Sequence, residues 1–203
     1  CVQETEIYPA LMAGSKLLIA NDSINDIEAL TNLIEEEDAT FVSTTPLVIS
    51  EFNHYPEKFA KLRVLISGGD ELRKVHCDRL VDQLEVYNTY GPTEATVCAT
   101  YHRVKNSDEA TLIGSPIPNH QVHILDRDGA VLPPGLLGEI CIAGAGVAKG
   151  YLNNPTLTEE RFVDNPFNEG ERMYLTGDLG RWLPDGRIAV SYTHLTLPTS
   201  THV

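Results

Sequence analysis

The spacing of apolar residues changes once along this chain. Up to about residue 112, short apolar runs alternate with stretches in which apolar residues recur every three or four positions. Arg63-Val64-Leu65-Ile66-Ser67 has the pattern of a buried strand and ends at Gly68-Gly69. Glu85 to Asn88 reads as the next strand, and Lys16 to Ala20 and Thr40 to Ser43 as shorter ones. Between them Ile27, Leu30, Leu33 and Ile34 keep helical spacing behind the capping candidates Asp22, Ser23 and Asn25. Pro46 suits the first turn of a helix running towards His54. Asp70 or Glu71 opens another helix, carrying Leu72, Val75, Leu80 and Val81. This alternation predicts an α/β layer: a mostly parallel sheet with flanking helices. Ligands of such sheets sit at the carboxyl ends of strands. Gly68-Gly69 and the residues after Tyr87 fall on that rim.

Past residue 112 the period shortens to two. Gln121, His123 and Leu125 alternate with Val122, Ile124 and Asp126. Asp128-Gly129 and Pro133-Pro134-Gly135 mark turns, and Gly138 to Ala143 reads as a strand. Leu179 to Leu183 and Gly186 to Val190 flank the turn Pro184-Asp185-Gly186. These short strands predict a small β-barrel-like subdomain, with one helix near Thr156 to Phe162. The chain therefore divides into a partial α/β core over residues 1–112, a β-rich subdomain over 113–188 and a tail over 189–203. That tail fits neither pattern and is expected to be foreign or disordered.

The bulk numbers narrow the function. A formal net charge of -14 over 203 residues argues against a nucleic-acid footprint, which needs a basic face. No apolar run reaches membrane-spanning length and no signal peptide is visible, so a cytoplasmic protein is expected. The chain begins at Cys1, as a piece cut from something longer would. Cys1, Cys77, Cys98 and Cys141 are too scattered for a metal motif and suit free thiols in a reducing compartment. His120 and His123 fall on opposite faces of a strand, which disfavours zinc. Gly144-Ala145-Gly146 with Gly150 imitates a dinucleotide loop. Tyr151-Leu152-Asn153-Asn154-Pro155 cannot directly open a helix, as such a loop requires.

The densest chemistry lies in Asn88-Thr89-Tyr90-Gly91-Pro92-Thr93-Glu94. A tight turn after a strand can aim several side chains at one ligand. The aromatic face can stack on a purine, the hydroxyl and amides can meet phosphate, and the carboxylate can hold magnesium.

That stretch resembles the signature of the AMP-forming adenylating superfamily, in detail the adenylation domains of nonribosomal peptide synthetases. Other motifs follow in the family's order. They are Gly114-Ser115-Pro116-Ile117-Pro118-Asn119, Gly138 to Gly144, Gly146 to Tyr151, Thr158 to Phe162, Asp164-Asn165-Pro166-Phe167 and Tyr174 to Leu179 with Arg181-Trp182. The resemblance implies ATP, AMP and magnesium as ligands and an amino or related carboxylic acid as substrate. It further implies partner carrier and condensation domains, with phosphopantetheine on the carrier. An acyl-CoA synthetase, an aryl-acid ligase or a non-catalytic nucleotide-binding fragment are its rivals.

Residue by residue, the resemblance implies that Tyr90 stacks on adenine and Asn88 bonds the adenine edge. Thr93 touches the α-phosphate and Glu94 holds magnesium. Gly68, Gly69 and Gly91 pass close to the nucleotide. Asp178 accepts from both ribose hydroxyls, as a two-oxygen carboxylate can. Cys1, Val2, Thr5, Ser43, Ile66, Gly68, Thr89, Val97 and Cys98 would surround the acyl group. Cys1 then stands where the family carries the aspartate that pairs with an α-ammonium. A thiol cannot replace it, so a hydroxy, keto, aryl or β-amino acid is expected. A register one residue longer would restore the aspartate and admit an ordinary α-amino acid. The family's phosphate loop and lid lysine are not in these 203 residues, so the chain alone is expected to be inactive.

Overall fold

A computed structural model of the protein describes residues 4–20 and 26–191. Five helices are named here: α1 (Glu4–Met12), α2 (Ile27–Glu36), α3 (Pro46–Phe52), α4 (Lys74–Cys77) and α5 (Pro155–Arg161). The strands are β1 (Phe41–Thr44), β2 (Val64–Ser67), β3 (Glu85–Tyr90), β4 (Thr100–Val104), β5 (Leu112–Pro116), β6 (His120–Leu125), β7 (Gly138–Gly144), β8 (Phe162–Asp164), β9 (Arg172–Trp182) and β10 (Ile188–Ser191). They join in the order β1-β2-β3-β4-β5-β10-β9-β7-β6, with β8 on the side of β9. Among the described strands only β1, β2 and β3 run parallel. From β4 onward each pairing is antiparallel. The α/β class holds, but the sheet is mixed and open. The β-rich part does not close into a barrel.

Among the described residues two large apolar cores and a smaller one, around Leu125, Cys141, Ala143 and Met173, pack on this sheet. Ile34, Ile49, Phe52, Leu65, Leu80 and Val86 pack between the helices and the parallel strands. Ile113, Val122, Ile124, Ile140, Ile142 and Ile188 form the second core, joined by Ala95 and Ala99. β5 is the seam: Ser115 and Pro116 pair with β4, while Leu112 and Gly114 pair with β10.

Three local expectations change. Lys16 to Ala20 is not a strand, since no ladder partner lies beside it among the described residues. The helix expected from Asp70 is cut to the single turn of α4. Buried Asn53 does this. Its amide donates to Val75 O at 3.2 Å, and its carbonyl takes Arg79 N–H at 3.0 Å. A continuing helix would pair those two groups with each other, so an inserted side chain ends the ladder. Residues 189–191, expected to belong to the foreign tail, complete β10 against β9. The rest of that tail, with Asp22, Ser23 and Asn25, lies outside the described residues. α2 is capped instead by Asp26, whose carboxylate accepts Ala29 N–H at 3.0 Å.

The seam carries a pH dependence. His102 on β4 is 7% exposed, with Nε2 3.7 Å from Glu109 Oε2. Arg187 bonds that same Glu109 at 2.8 Å and pairs with Asp185, while Lys105 adds positive charge nearby. Burial, then Arg187, holds the His102 pKa below its ordinary 6.5. The unfolded chain then binds the extra proton, so this stability is present above the ordinary range and is lost as pH falls through it. The melting temperature should drop as pH falls below 6.5, and His102→Gln should flatten that limb; an equally steep limb in the variant removes His102 as its cause.

Candidate functional site

Period-two geometry sorts the rim residues. Ser43, Ile66 and Tyr87 are register partners, so Ser43, Ile66, Gly68 and Thr89 share one face at the carboxyl ends of β1 to β3. Helix α1 comes against this face: Glu6 Oε1 accepts the Ser43 N–H at 2.7 Å. Burial raises the Glu6 carboxyl pKa, with that bond opposing it. Thr89 donates its hydroxyl to Ser67 O at 2.8 Å, tying β3 to β2. A methyl group on Gly68 would lie 2.8 Å from that same Thr89 hydroxyl, which fills the space above the glycine. Of the other acyl-pocket candidates, Cys1 and Val2 lie outside the described residues, and Thr5 falls in α1.

Asn88 belongs to the opposite face. It is 1% exposed, and its amide donates to Ala110 O and Leu112 O, both at 2.9 Å. The expected adenine contact does not fit this placement. Asn88 fastens β3 to the entry of β5 beneath the loop, and both amide hydrogens are committed there.

The loop itself leaves β3 at Tyr90 and returns at Ala99, whose N–H donates to Tyr90 O at 2.9 Å. A short 3-10 turn over Thr93 to Ala95 lifts Thr93 and Glu94, and Ala95 and Ala99 plug the loop into the second core. Gly91 sits at its base, where a Cβ would lie 2.7 Å from Val97 O and from Ala99 N. Val97 and Cys98 are therefore gathered around Gly91. Val97 has φ +70° and Thr96 φ +56°, a left-handed pair that costs a β-branched residue dearly. Cys98 donates to Thr100 O at 3.3 Å, and burial pushes its thiol up to about 11, so it stays protonated.

The antiparallel unit supplies the other wall. On β9, three residues lie between Leu175 and Leu179, whereas only Ile140 lies between their partners Cys141 and Glu139 on β7. This bulge is the Thr176-Gly177-Asp178 segment, and bulges re-aim side chains beside binding sites. Gly177 takes φ +79°, which the extra residues require. Its N–H donates to Glu139 Oε1 at 2.9 Å, and Thr176 donates to Ile140 O at 2.7 Å. Asp178 is thereby exposed toward the loop, where Tyr90 donates its phenol to Asp178 Oδ2 at 2.6 Å. So the two residues expected at adenine and ribose, 88 positions apart, touch. Arg161, at the end of α5, brings a guanidinium to the same bulge, 3.4 Å from where a Gly177 Cβ would be.

A second set of contacts holds Glu94 and the loop beside it. The Glu94 carbonyl accepts Ala148 N–H at 2.8 Å, and Thr96 donates to Gly146 O at 2.7 Å. Tyr151 then donates its phenol to Glu94 Oε1 at 2.6 Å. Motif reading placed Tyr151 and Tyr174 in family motifs but not beside Glu94, and it gave no signal for Glu6; the tertiary contacts supply these neighbours. A cleft of 560 Å³ is lined by Asn119, His120, Ala148, Lys149 and Arg172; none of the nucleotide candidates lines it, although Ala148 N–H bonds Glu94 O.

Magnesium fits the donors present. Hydroxyl and carboxylate oxygens are hard ligands, and magnesium is commonly held by one or two carboxylates plus substrate phosphates. Among the described residues no cluster of three or more His, Cys, Asp or Glu forms a protein-only cage. Nor is any described helix long and apolar enough to cross a membrane.

Comparison with known proteins gives a consistent picture. A family model described as AMP-binding enzyme matches residues 1–152. Surfactin synthase subunit 1 of Bacillus subtilis is 42% identical over 191 residues, covering 90% of this chain and 5% of its own length. The solved structure of FmoA3, a nonribosomal peptide synthetase, in its AMPPNP-bound form has a TM-score of 0.76 at 33% identity, covering 82% of this chain and 19% of its own. An artificially fused adenylation–PCP didomain, NpsA-ThdA of Klebsiella oxytoca, gives 0.82 at 26% identity, covering 92% and 39%. The chain thus spans a small part of these proteins.

Proposed function

The chain belongs to the AMP-binding enzyme family, and from that premise we propose that it forms the nucleotide-facing part of a nonribosomal peptide synthetase adenylation unit. The observation that carries this reading is the meeting of Tyr90 with Asp178, and of Glu94 with the segment 146–151. Two separate motifs converge on one rim with the groups an adenosine phosphate needs.

The reaction joins a carboxylic acid to ATP. A carboxylate oxygen of the amino or related acid attacks the α-phosphorus, the bond to the β-phosphate breaks, and pyrophosphate leaves. The product is an acyl-AMP. The acyl-AMP would then be handed to the phosphopantetheine thiol of a carrier domain, with AMP released. The fused adenylation–PCP neighbour supports that partner, and condensation domains would adjoin in the parent.

In this chain Tyr90 would offer its ring to adenine and Asp178 would hold the ribose diol. Thr93 would donate to the α-phosphate, where charge develops during attack. Magnesium, when bound, neutralises phosphate charge, and Glu94 would be its protein ligand. Positioning and electrostatics are then the protein's share of the work. Ser43, Ile66, Gly68, Thr89, Val97 and Cys98 would line the acyl side, with Cys1, Val2 and Thr5 proposed beside them. This lining is neutral and mostly small.

In the parent enzyme, Glu94→Gln should raise the magnesium requirement of acid-dependent ATP–pyrophosphate exchange. Asp178→Ala should weaken AMP binding. Hydrogen bonds to charged groups are worth about 1.5–3 kcal/mol, so roughly ten- to a hundredfold is expected in each case. Wild-type kinetics in both variants would take these residues out of the site. The isolated chain should show no exchange at all.

A further inference from the structure

We propose that Tyr151, backed by Tyr174, is the positioning residue that fixes the Glu94 carboxylate for its cation. This inference rests on the role given to Glu94 above. Four observations carry it. The Tyr151 phenol donates to Glu94 Oε1 at 2.6 Å, a short bond to a carboxylate. Tyr174, 6% exposed, places its hydroxyl 3.3 Å from that of Tyr151. Phe162, 2% exposed, packs against both rings, with centroids at 5.3 and 5.0 Å. The Tyr151 backbone is pinned as well: its N–H donates to Thr158 Oγ1 at 2.9 Å, and that hydroxyl donates to Asn154 O at 2.8 Å.

The arrangement has a chemical direction. A phenol is protonated at neutral pH, so both hydroxyls can act as donors. A carboxylate has two oxygens. Engaging Oε1 sets the plane of the carboxylate, and Tyr174 lies close enough to act on the same group. The backbone bond from Ala148 to Glu94 O fixes the same residue from its other end. A site held only through the loop would leave that side chain free to rotate, since Glu94 lies on an outward 3-10 turn.

The test uses the full-length synthetase that contains this chain. Tyr151→Phe keeps the ring against Phe162 and removes one hydroxyl. Half-saturating magnesium in pyrophosphate exchange should rise about tenfold, with KM for the acid unchanged and kcat largely restored at high magnesium. Manganese binding to the ATP complex, followed by water-proton relaxation, should weaken by a similar factor. Tyr174→Phe should act in the same direction with a smaller effect, and serves if the first variant folds poorly. Adding Tyr151→Phe to Glu94→Gln should cost nothing further. An unchanged metal requirement in Tyr151→Phe, with Glu94→Gln still impaired, overturns the positioning role alone. If Glu94→Gln itself leaves the metal requirement unchanged, the reading of Glu94 falls and this inference falls with it.

Discussion

Replacing Gly91 by alanine is expected to lower stability by about 3 kcal/mol and to abolish nucleotide binding. The added methyl would meet three backbone atoms: Val97 O and Ala99 N at 2.7 Å and Cys98 Cα at 2.8 Å. Backbone cannot rotate aside as a long side chain can. Those atoms close the loop that carries Thr93 and Glu94, and the return strand starts at Thr100. Relief would require breaking the Ala99 N–H bond to Tyr90 O, or moving Ala95 and Ala99 out of the second core. The left-handed pair Thr96 and Val97 leaves little slack, because it is strained already. A urea melt and an AMP titration on the purified chain check this. A wild-type midpoint with normal AMP affinity would show that the loop base opens at no cost.

Asn88→Ala should cost about 2–4 kcal/mol, since it removes two buried hydrogen bonds and strands two carbonyls. Those carbonyls belong to Ala110 and Leu112, which lead into the seam strand β5. Asn88→Asp separates the polar role from the shape. A carboxylate cannot donate to either carbonyl, and its burial would raise its pKa. A raised carboxyl pKa gives stability that is present at low pH and lost as pH rises through the folded value. The Asp variant should therefore melt closer to wild type at pH 4 than at pH 8 on the order of these reference values. Loss of nucleotide affinity with an unchanged melt in Asn88→Ala would restore the adenine contact and discard the structural one.

Asn88 also shows where sequence reading stops. The motif from Asn88 to Glu94 was legible as one unit, because its residue types suit a purine, phosphates and a cation. The chain alone could not say that its first residue faces the other way. Strand parity puts Thr89 with Ile66 and Ser43, and Asn88 with buried Val86. That parity decides the role only once the strand's end is known, and β3 runs to Tyr90 rather than stopping at Asn88.

Period and turn chemistry were enough for most elements. Pro46 opens α3, Pro155 opens α5, and β2, β6 and β7 lie where alternating or continuous apolar runs put them. Such signals are local, so the sequence carries them directly. α4 broke the pattern because Asn53, 25 residues before Asp78, donates to its carboxylate and enters its ladder. No window along the chain contains both partners. Openness of the sheet is likewise a matter of which strands meet. β6 ends the order instead of returning to β4, and two-residue periodicity reads the same in either case.

What the sequence determined by itself, then, is the order of the residues proposed to meet the nucleotide, Tyr90, Thr93, Glu94 and Asp178, on an α/β layer followed by antiparallel strands. Only the tertiary structure decided how those residues are held. The bulge at Gly177 turns Asp178 toward Tyr90 across 88 residues, and Tyr151 reaches Glu94 across 57. Residue types and short-range spacing are written along the chain, whereas the aim of a side chain depends on which distant backbone packs behind it.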